Sequence, residues 1–183
     1  TMAAKLLMLA NSDAEVYKQI HPLLIANTDH LIFLSSYRVY ANEQHPITEE
    51  APRLTEVVKD KDFLENENYA VPKSICEDYL RNKHAGEPWT IVRPVISFSE
   101  RRMDLFMYSG NRVLRAADQG EELLLPQYAC NYSAGLDWAG NSGKLIANLL
   151  FKTDALGETF TIYSGHGLTW GEEFYVANGQ GGN

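Results

Sequence analysis

Residues 30–36 read His-Leu-Ile-Phe-Leu-Ser-Ser, four apolar side chains in unbroken succession closed by two small polar ones. A strand sends successive side chains to opposite faces, so an unbroken apolar run has to be covered on both. That is the pattern of a central parallel strand with helices on either side, ending in serines where it emerges from the sheet. Trp89–Phe98 is rich in β-branched and aromatic residues and reads as a strand running into a turn marked by Pro94. Thr159–Tyr163 reads as another, and Leu123–Leu125 as a short one ended by Pro126. Between them lie helical patterns. Ser12-Asp13 followed by Glu15 marks a helix start, with Val16, Ile20, Leu23 and Leu24 at helical spacing and a kink or break predicted at Pro22. A helix is expected from Tyr69 to about Ala85, with Ile75, Cys76, Tyr79 and Leu80 on its apolar face. Others are expected over 101–117 and from Gly143 to about Lys152. The polar, acidic stretch 42–68, with Pro46 and Pro52, predicts a long surface excursion. Strands and helices alternating at these lengths define an α/β domain with a mainly parallel sheet.

At 183 residues the chain is one domain or a large part of one, and buries roughly 70% of its unfolded surface without needing a staple. Its net charge of −8 argues against a nucleic-acid backbone as a partner. No apolar run approaches the roughly 20 residues of a membrane span. The opening TMAAKLLMLA reads as a buried strand or helix end, since acidic residues follow at once and no small-residue cleavage pattern does. Cys76 and Cys130 are too few for a disulfide framework and form no C-x-x-C pair, which points to a reducing, cytoplasmic setting. The glycine-rich tail from Gly179 to Asn183 is expected to fray.

Two glycine patterns fail as nucleotide loops. Gly165-His-Gly167 follows a predicted strand, but a dinucleotide fingerprint needs a further helix, a strand and an acidic residue about 20 positions on. Thr169-x-x-Glu172 instead reads as a capping box for a last helix. Gly140-Asn-Ser-Gly143-Lys144 lacks the first glycine of a phosphate loop and has Leu145 where Ser or Thr is required. The five histidines show no metal-ligand spacing, so no metal is expected. No G-x-S-x-G surrounds a serine.

Tyr69-Ala-Val-Pro-Lys73 puts a phenol and an ammonium four residues apart, on one face of a helix. A free tyrosine titrates near pH 10, too high for a base at neutral pH, and a cation held nearby favours the phenolate. Upstream, the apolar strand ends in Ser35 and Ser36. Downstream, Val92-Arg-Pro-Val95 ends the next one. Ligands of parallel sheets bind outside the carboxyl ends of strands, so hydroxyl, phenol and ammonium are expected to converge there.

The succession Ser-Ser-x-x-Val-Tyr40, Tyr69-x-x-x-Lys73 and Arg93-Pro94 resembles the extended short-chain dehydrogenase/reductase family, the NAD-dependent epimerase/dehydratase group. Glu49 and Pro52, Leu136-Asp-Trp-Ala139, and Ser164 to Thr169 with Glu172 are similar to further segments of that family, so the likeness extends over roughly residues 30–175. Ala41 and Ser99 replace glycines of the family pattern, and Arg38 is bulkier than usual. The family's opening Gly-x-x-Gly-x-x-Gly loop has no counterpart, so the chain reads as starting partway through the nucleotide-binding domain.

The resemblance implies a partial Rossmann-like, doubly wound parallel sheet over residues 1–100 and a small C-terminal substrate-side region over 101–183. It implies Tyr69 as acid/base, Lys73 as ribose-binding partner of Tyr69, and Ser36 as the hydroxyl that hydrogen-bonds the reacting oxygen. Tyr69, Lys73, Pro94 and Val95 would contact the nicotinamide end of NAD or NADP, and Ser36, Arg101 and Arg102 the substrate. The function implied is hydride-transfer epimerisation, dehydration or reduction, with a sugar nucleotide as the expected small-molecule partner. A homodimer is the expected assembly. The alternative is a related protein without catalysis that serves as a binding module, for RNA among other partners, with Arg101-Arg102 as a local basic pair.

Overall fold

The structure is a computed structural model that describes residues 6–7, 13–165 and 167–177. Ser12, His166 and the glycine-rich tail lie outside the described residues, as does the rest of the N-terminal apolar stretch around Leu6–Leu7. In chain order the elements are β1 (Leu6–Leu7), α1 (Ala14–Ala26), β2 (Leu31–Leu34), α2 (Leu54–Val57), α3 (Lys61–Asn66), α4 (Ala70–Lys83), β3 (Trp89–Pro94) and β4 (Ile96–Phe98). They continue with α5 (Gly110–Gln119), β5 (Leu136–Trp138), α6 (Ala139–Leu149), β6 (Thr159–Ile162) and α7 (Trp170–Ala177). The chain divides into two compact units: Thr1–Val95 with Lys144–Ile162, and Ile96–Gly143 with Tyr163–Asn183.

The first unit is a parallel sheet in the order β1-β2-β3-β6. Leu31 registers against Trp89 and Phe33 against Ile91, and Val92 in turn against Phe160. Strand alternation sorts the apolar side chains onto two faces. Leu31, Phe33, Trp89 and Ile91 pack with Ala14 and Tyr17 of α1 and with Cys76 and Leu80 of α4. Ile32, Val92 and Ile162 pack with Leu145, Ile146 and Leu149 of α6. Covered on both faces, the sheet is doubly wound, as the unbroken apolar run of β2 requires.

Asp13 starts α1, its carboxylate accepting from the amides of Glu15 and Val16 at 3.0 and 3.1 Å. The helix continues through Pro22 where a kink or break was expected. Buried Tyr17 and His21 anchor it across the missing backbone bond. The 42–68 stretch is also more structured than its polarity predicts. It contains α2 and α3 and buries Ala51 and Arg53.

The second unit pairs β4 and β5 in parallel. Its core holds Leu105, Ala116, Leu123, Ala134, Leu136, Trp170 and Phe174. The helix expected over 101–117 begins only at Gly110, because the Asp104 carboxylate accepts the Gly110 amide at 2.9 Å and folds the preceding residues into tight turns. Leu123–Leu125 forms no strand. Leu123 is buried and Leu124 exposed, an alternation without a ladder partner among the described residues. The capping box of α7 is present: Glu172 Oε2 accepts from the Thr169 amide at 2.8 Å, and Thr169 Oγ1 from the Glu172 amide at 3.3 Å.

Candidate active site

Beyond Leu34, β2 stays attached to its neighbour for one more residue, the Ser35 amide donating to the Val92 carbonyl at 2.8 Å. Ser36 then turns the chain out of the sheet. Its hydroxyl accepts from the Arg38 amide at 3.2 Å and starts the short turn Tyr37–Val39. Small polar residues at a strand end do this readily, because their side chains compete for backbone donors. Ser36 is buried, and the turn it starts packs against α4.

Tyr69 stands at the N-cap of α4 and is half-buried. Its own side chain makes no capping bond. That role falls to Glu67, whose Oε2 accepts from the amides of Tyr69 and Val71 at 3.0 and 2.9 Å. The other Glu67 oxygen lies 3.5 Å from Arg38 Nη2, and the Arg38 guanidinium sits 5.0 Å from the centre of the Tyr69 ring. The tyrosine is thus fixed from its backbone side by a carboxylate and covered on its ring by a cation.

Lys73 lies one turn into α4 and is buried. Its Nζ donates to the Leu34 carbonyl at 2.8 Å and stands 5.5 Å from the Tyr69 ring centre and 5.7 Å from that of Phe33. Burial draws its pKa below the ordinary lysine range, and the negative charges available at Cys76 and Glu77 act against that. The structure therefore brings Tyr69 and Lys73 together at the start of α4 and ties Lys73 to β2 two residues before Ser36. Pro94 closes β3 opposite Ile162, and the Val95 amide donates to the Ile162 carbonyl at 3.3 Å. Both residues are half-buried.

Arg101 and Arg102 belong to the second unit and are exposed. Arg102 Nε donates to Asp104 at 2.9 Å, and the Arg101 amide to the Ser99 hydroxyl at 3.3 Å.

Behind Lys73 lies a buried ionic cluster whose residues are not among those expected at the site from sequence. Glu77, one turn further along α4, receives Arg93 Nε and Nη2 at 2.9 and 2.6 Å and Arg53 Nη1 at 3.2 Å. Burial would raise the Glu77 pKa, but the Arg93 bonds and charge hold it below the ordinary carboxylate range. Arg93 Nη1 also donates to the Glu49 carbonyl at 3.0 Å, and the Glu49 carboxylate accepts the Thr161 amide at 2.7 Å. The sequence carries one signal of it: Lys73-x-x-x-Glu77 lies on one helix face.

No protein-family profile and no curated protein sequence matches the chain. Solved structures do. A UDP-N-acetylglucosamine 4-epimerase from Bacillus cereus is 20% identical, with a TM-score of 0.67 over 97% of this chain and 60% of its own. A second, from Methanobrevibacter ruminantium M1 in complex with UDP-N-acetylmuramic acid, is 18% identical, with a TM-score of 0.66 over 88% of this chain and 50% of its own. A dTDP-glucose 4,6-dehydratase from Bacillus anthracis in complex with NAD is 17% identical, with a TM-score of 0.59 over 90% and 48%. The chain has the fold of these epimerases and of this dehydratase. It spans about half to three-fifths of the length of those proteins.

Proposed function

We propose that this chain is part of an NAD(P)-dependent enzyme that epimerises, dehydrates or reduces a sugar nucleotide, with Tyr69, Lys73 and Ser36 as its catalytic residues. One observation carries the reading: Lys73, four residues from Tyr69 on α4, is bonded to the Leu34 carbonyl at the carboxyl end of β2, next to Ser36. In a parallel sheet that is the end at which ligands bind. The fold of sugar-nucleotide epimerases and dehydratases supports the same assignment.

In this reading Tyr69 moves a proton to and from a substrate hydroxyl oxygen, as a general acid and base. The Lys73 ammonium lies within 5.5 Å of that ring and stabilises negative charge on the phenol oxygen. Ser36 donates a hydrogen bond to the reacting oxygen. A buried ammonium beside a half-buried phenol also suits the vicinal hydroxyls of a nucleotide ribose, so Tyr69 and Lys73 would hold the cofactor, with Pro94 and Val95 against its nicotinamide. The cofactor, when bound, supplies the hydride acceptor and donor. Arg101 and Arg102 are the candidate partners for the substrate diphosphate, since guanidinium pairs with phosphate through two parallel bonds. A homodimer in the cytoplasm completes the reading. Two free cysteines accord with that setting, and no helix among the described residues is long and apolar enough to cross a membrane.

The test is product analysis by NMR after incubating the full-length protein with NAD or NADP and a panel of UDP- and dTDP-sugars. Conversion of one sugar to its epimer, its keto product or its reduced form is expected, with loss of conversion in Tyr69→Phe. A folded protein that converts none of them, or a Tyr69→Phe variant with full activity, overturns the assignment.

A further inference from the structure

The opposite end of the first unit holds a second cluster of chemistry-bearing side chains that the proposed function does not use. His21 lies on α1, His84 is the residue that ends α4, and Glu87 stands in the turn leading into β3. The ligand atoms of the three lie within 4.8 Å of one another. His21 Nε2 is 2.9 Å from Glu87 Oε2, and His84 Nδ1 is 2.9 Å from Glu87 Oε1. The two imidazole rings are 4.2 Å apart between centroids. Gly86 adopts the left-handed conformation, with φ of +89°, in the turn that returns Glu87 over His84.

We infer that His21, His84 and Glu87 form a binding site for one divalent transition-metal ion, zinc by the chemistry of its donors. Two imidazoles and one carboxylate are the borderline N/O set that zinc takes, with a fourth position for water. Tetrahedral zinc with bonds of about 2.0 Å separates its ligand atoms by about 3.3 Å. The two nitrogen-to-oxygen separations of 2.9 Å, each to a different oxygen of Glu87, have to open slightly, and the widest separation, within 4.8 Å, has to close to admit the ion.

The surroundings fit a metal ligand set in a further respect. A ligating histidine donates its other ring N–H to a partner that fixes the ring. His21 Nδ1 stands 3.2 Å from the Tyr17 hydroxyl, which is that partner. When the ion enters, the proton on His21 Nε2 moves to Nδ1 and is donated to Tyr17, and the ring stays neutral.

Place decides role. Glu87 precedes the first residue of β3, whereas the Lys73 contact is to the last residue of β2 and Ser36 lies two residues beyond it. In a parallel sheet these are opposite ends, so the ion lies away from the proposed catalytic residues, where it ties α1 to the end of α4 and the start of β3.

The test is calorimetric titration of ZnCl₂ into tag-free, metal-stripped protein, with Co²⁺ absorption reporting the ligand geometry. One equivalent of Zn²⁺ should bind, Co²⁺ should give the intense visible band of a tetrahedral site, and the thermal midpoint should rise. His84→Ala and Glu87→Gln, at partly exposed positions that keep the fold, should each weaken Zn²⁺ binding by more than about 100-fold, and Tyr17→Phe by about 10- to 100-fold. Far-ultraviolet circular dichroism confirms folding of each variant. Absence of one-equivalent binding by the folded wild type means a hydrogen-bonded His–Glu–His cluster only and overturns the inference. So does wild-type affinity in both His84→Ala and Glu87→Gln. These readouts are independent of enzymatic activity and leave the proposed function untouched.

Discussion

Glu77 and Arg93 meet through two hydrogen bonds with both side chains fully excluded from solvent, Nε to Oε1 at 2.9 Å and Nη2 to Oε2 at 2.6 Å. Arg53 brings a second guanidinium to the same carboxylate at 3.2 Å. Two buried guanidiniums therefore share this carboxylate. Removing a single partner of a buried pair leaves an uncompensated charge and costs about 3–5 kcal/mol. Glu77→Ala should lower the unfolding free energy by that order in urea denaturation, more than Arg53→Met, since Arg53 is also held by Glu56 and Asp78 nearer the surface.

The same carboxylate predicts acid sensitivity. Its pKa in the fold is below its ordinary value of 4.5, because the Arg93 contacts outweigh burial. A depressed carboxylate contributes stability that is complete above the unfolded pKa and is lost as pH falls through the folded one. Stability should therefore decline below about pH 4.5. Glu77→Gln should be less stable at pH 7 but show a shallower decline, measured as urea midpoints from pH 6 to pH 3.

A second, milder pH dependence comes from His30, which is buried at the start of β2. The Phe151 amide donates to its Nδ1 at 2.9 Å, so the ring proton is on Nε2 and is donated to Thr90 Oγ1 at 2.8 Å. The Thr90 hydroxyl passes the chain on to the Ala155 carbonyl. Burial lowers the His30 pKa, so the unfolded chain takes the proton first. Stability should fall as pH drops below about 6.5 and level off once the folded ring protonates. The slope contributed by one such proton is at most about 1.4 kcal/mol per pH unit. His30→Gln should remove that share, leaving the parallel contribution of His21.

The parallel sheet was legible because its residues carry burial in their type: Leu31, Ile32 and Phe33 are apolar at consecutive positions and are covered on both faces. Arg53 was not. Its burial depends on Glu77, 24 residues away, and Glu77 depends on Arg93, while residue type alone assigns all three to the surface. The pairing of Tyr69 with Lys73 follows from helical spacing, whereas the Lys73 bond to Leu34 depends on where α4 docks. Glu67 was hidden for a local reason: an acid that caps a helix from outside it reads as one more charge in an acidic stretch. His21 and His84, far apart in sequence, share no spacing that marks a ligand pair.

Glu67 makes its own prediction. Its Oε2 satisfies two of the amides that open α4 and thereby sets the backbone of Tyr69. Glu67→Ala should cost about 1 kcal/mol, as loss of a helix cap does, and should lower turnover more than it changes KM. Glu67→Gln keeps an amide oxygen able to accept both bonds and should restore turnover. A purely structural role would lower stability in Glu67→Ala while leaving the kinetic constants of the folded fraction unchanged.

The sharpest kinetic contrast is expected among Tyr69, Lys73 and Ser36. Tyr69→Phe preserves the ring that meets the Arg38 guanidinium and the Lys73 ammonium but removes the group that carries the proton. General acid–base catalysis contributes about 10²- to 10⁴-fold, so turnover should fall by that order with little change in KM. Lys73→Met removes the cation 5.5 Å from the ring and should move the pH–rate profile toward higher pH, because charge on the phenol oxygen loses its stabilising partner. It should also cost stability, since the Leu34 carbonyl loses its 2.8 Å donor. Ser36→Ala should reduce turnover less than Tyr69→Phe, as it deletes an orienting hydrogen bond and leaves the base in place. Steady-state kinetics from pH 6 to pH 10 on the three variants separate these effects. An unshifted profile in Lys73→Met would remove Lys73 from the chemistry and leave it as the residue that docks α4 onto β2.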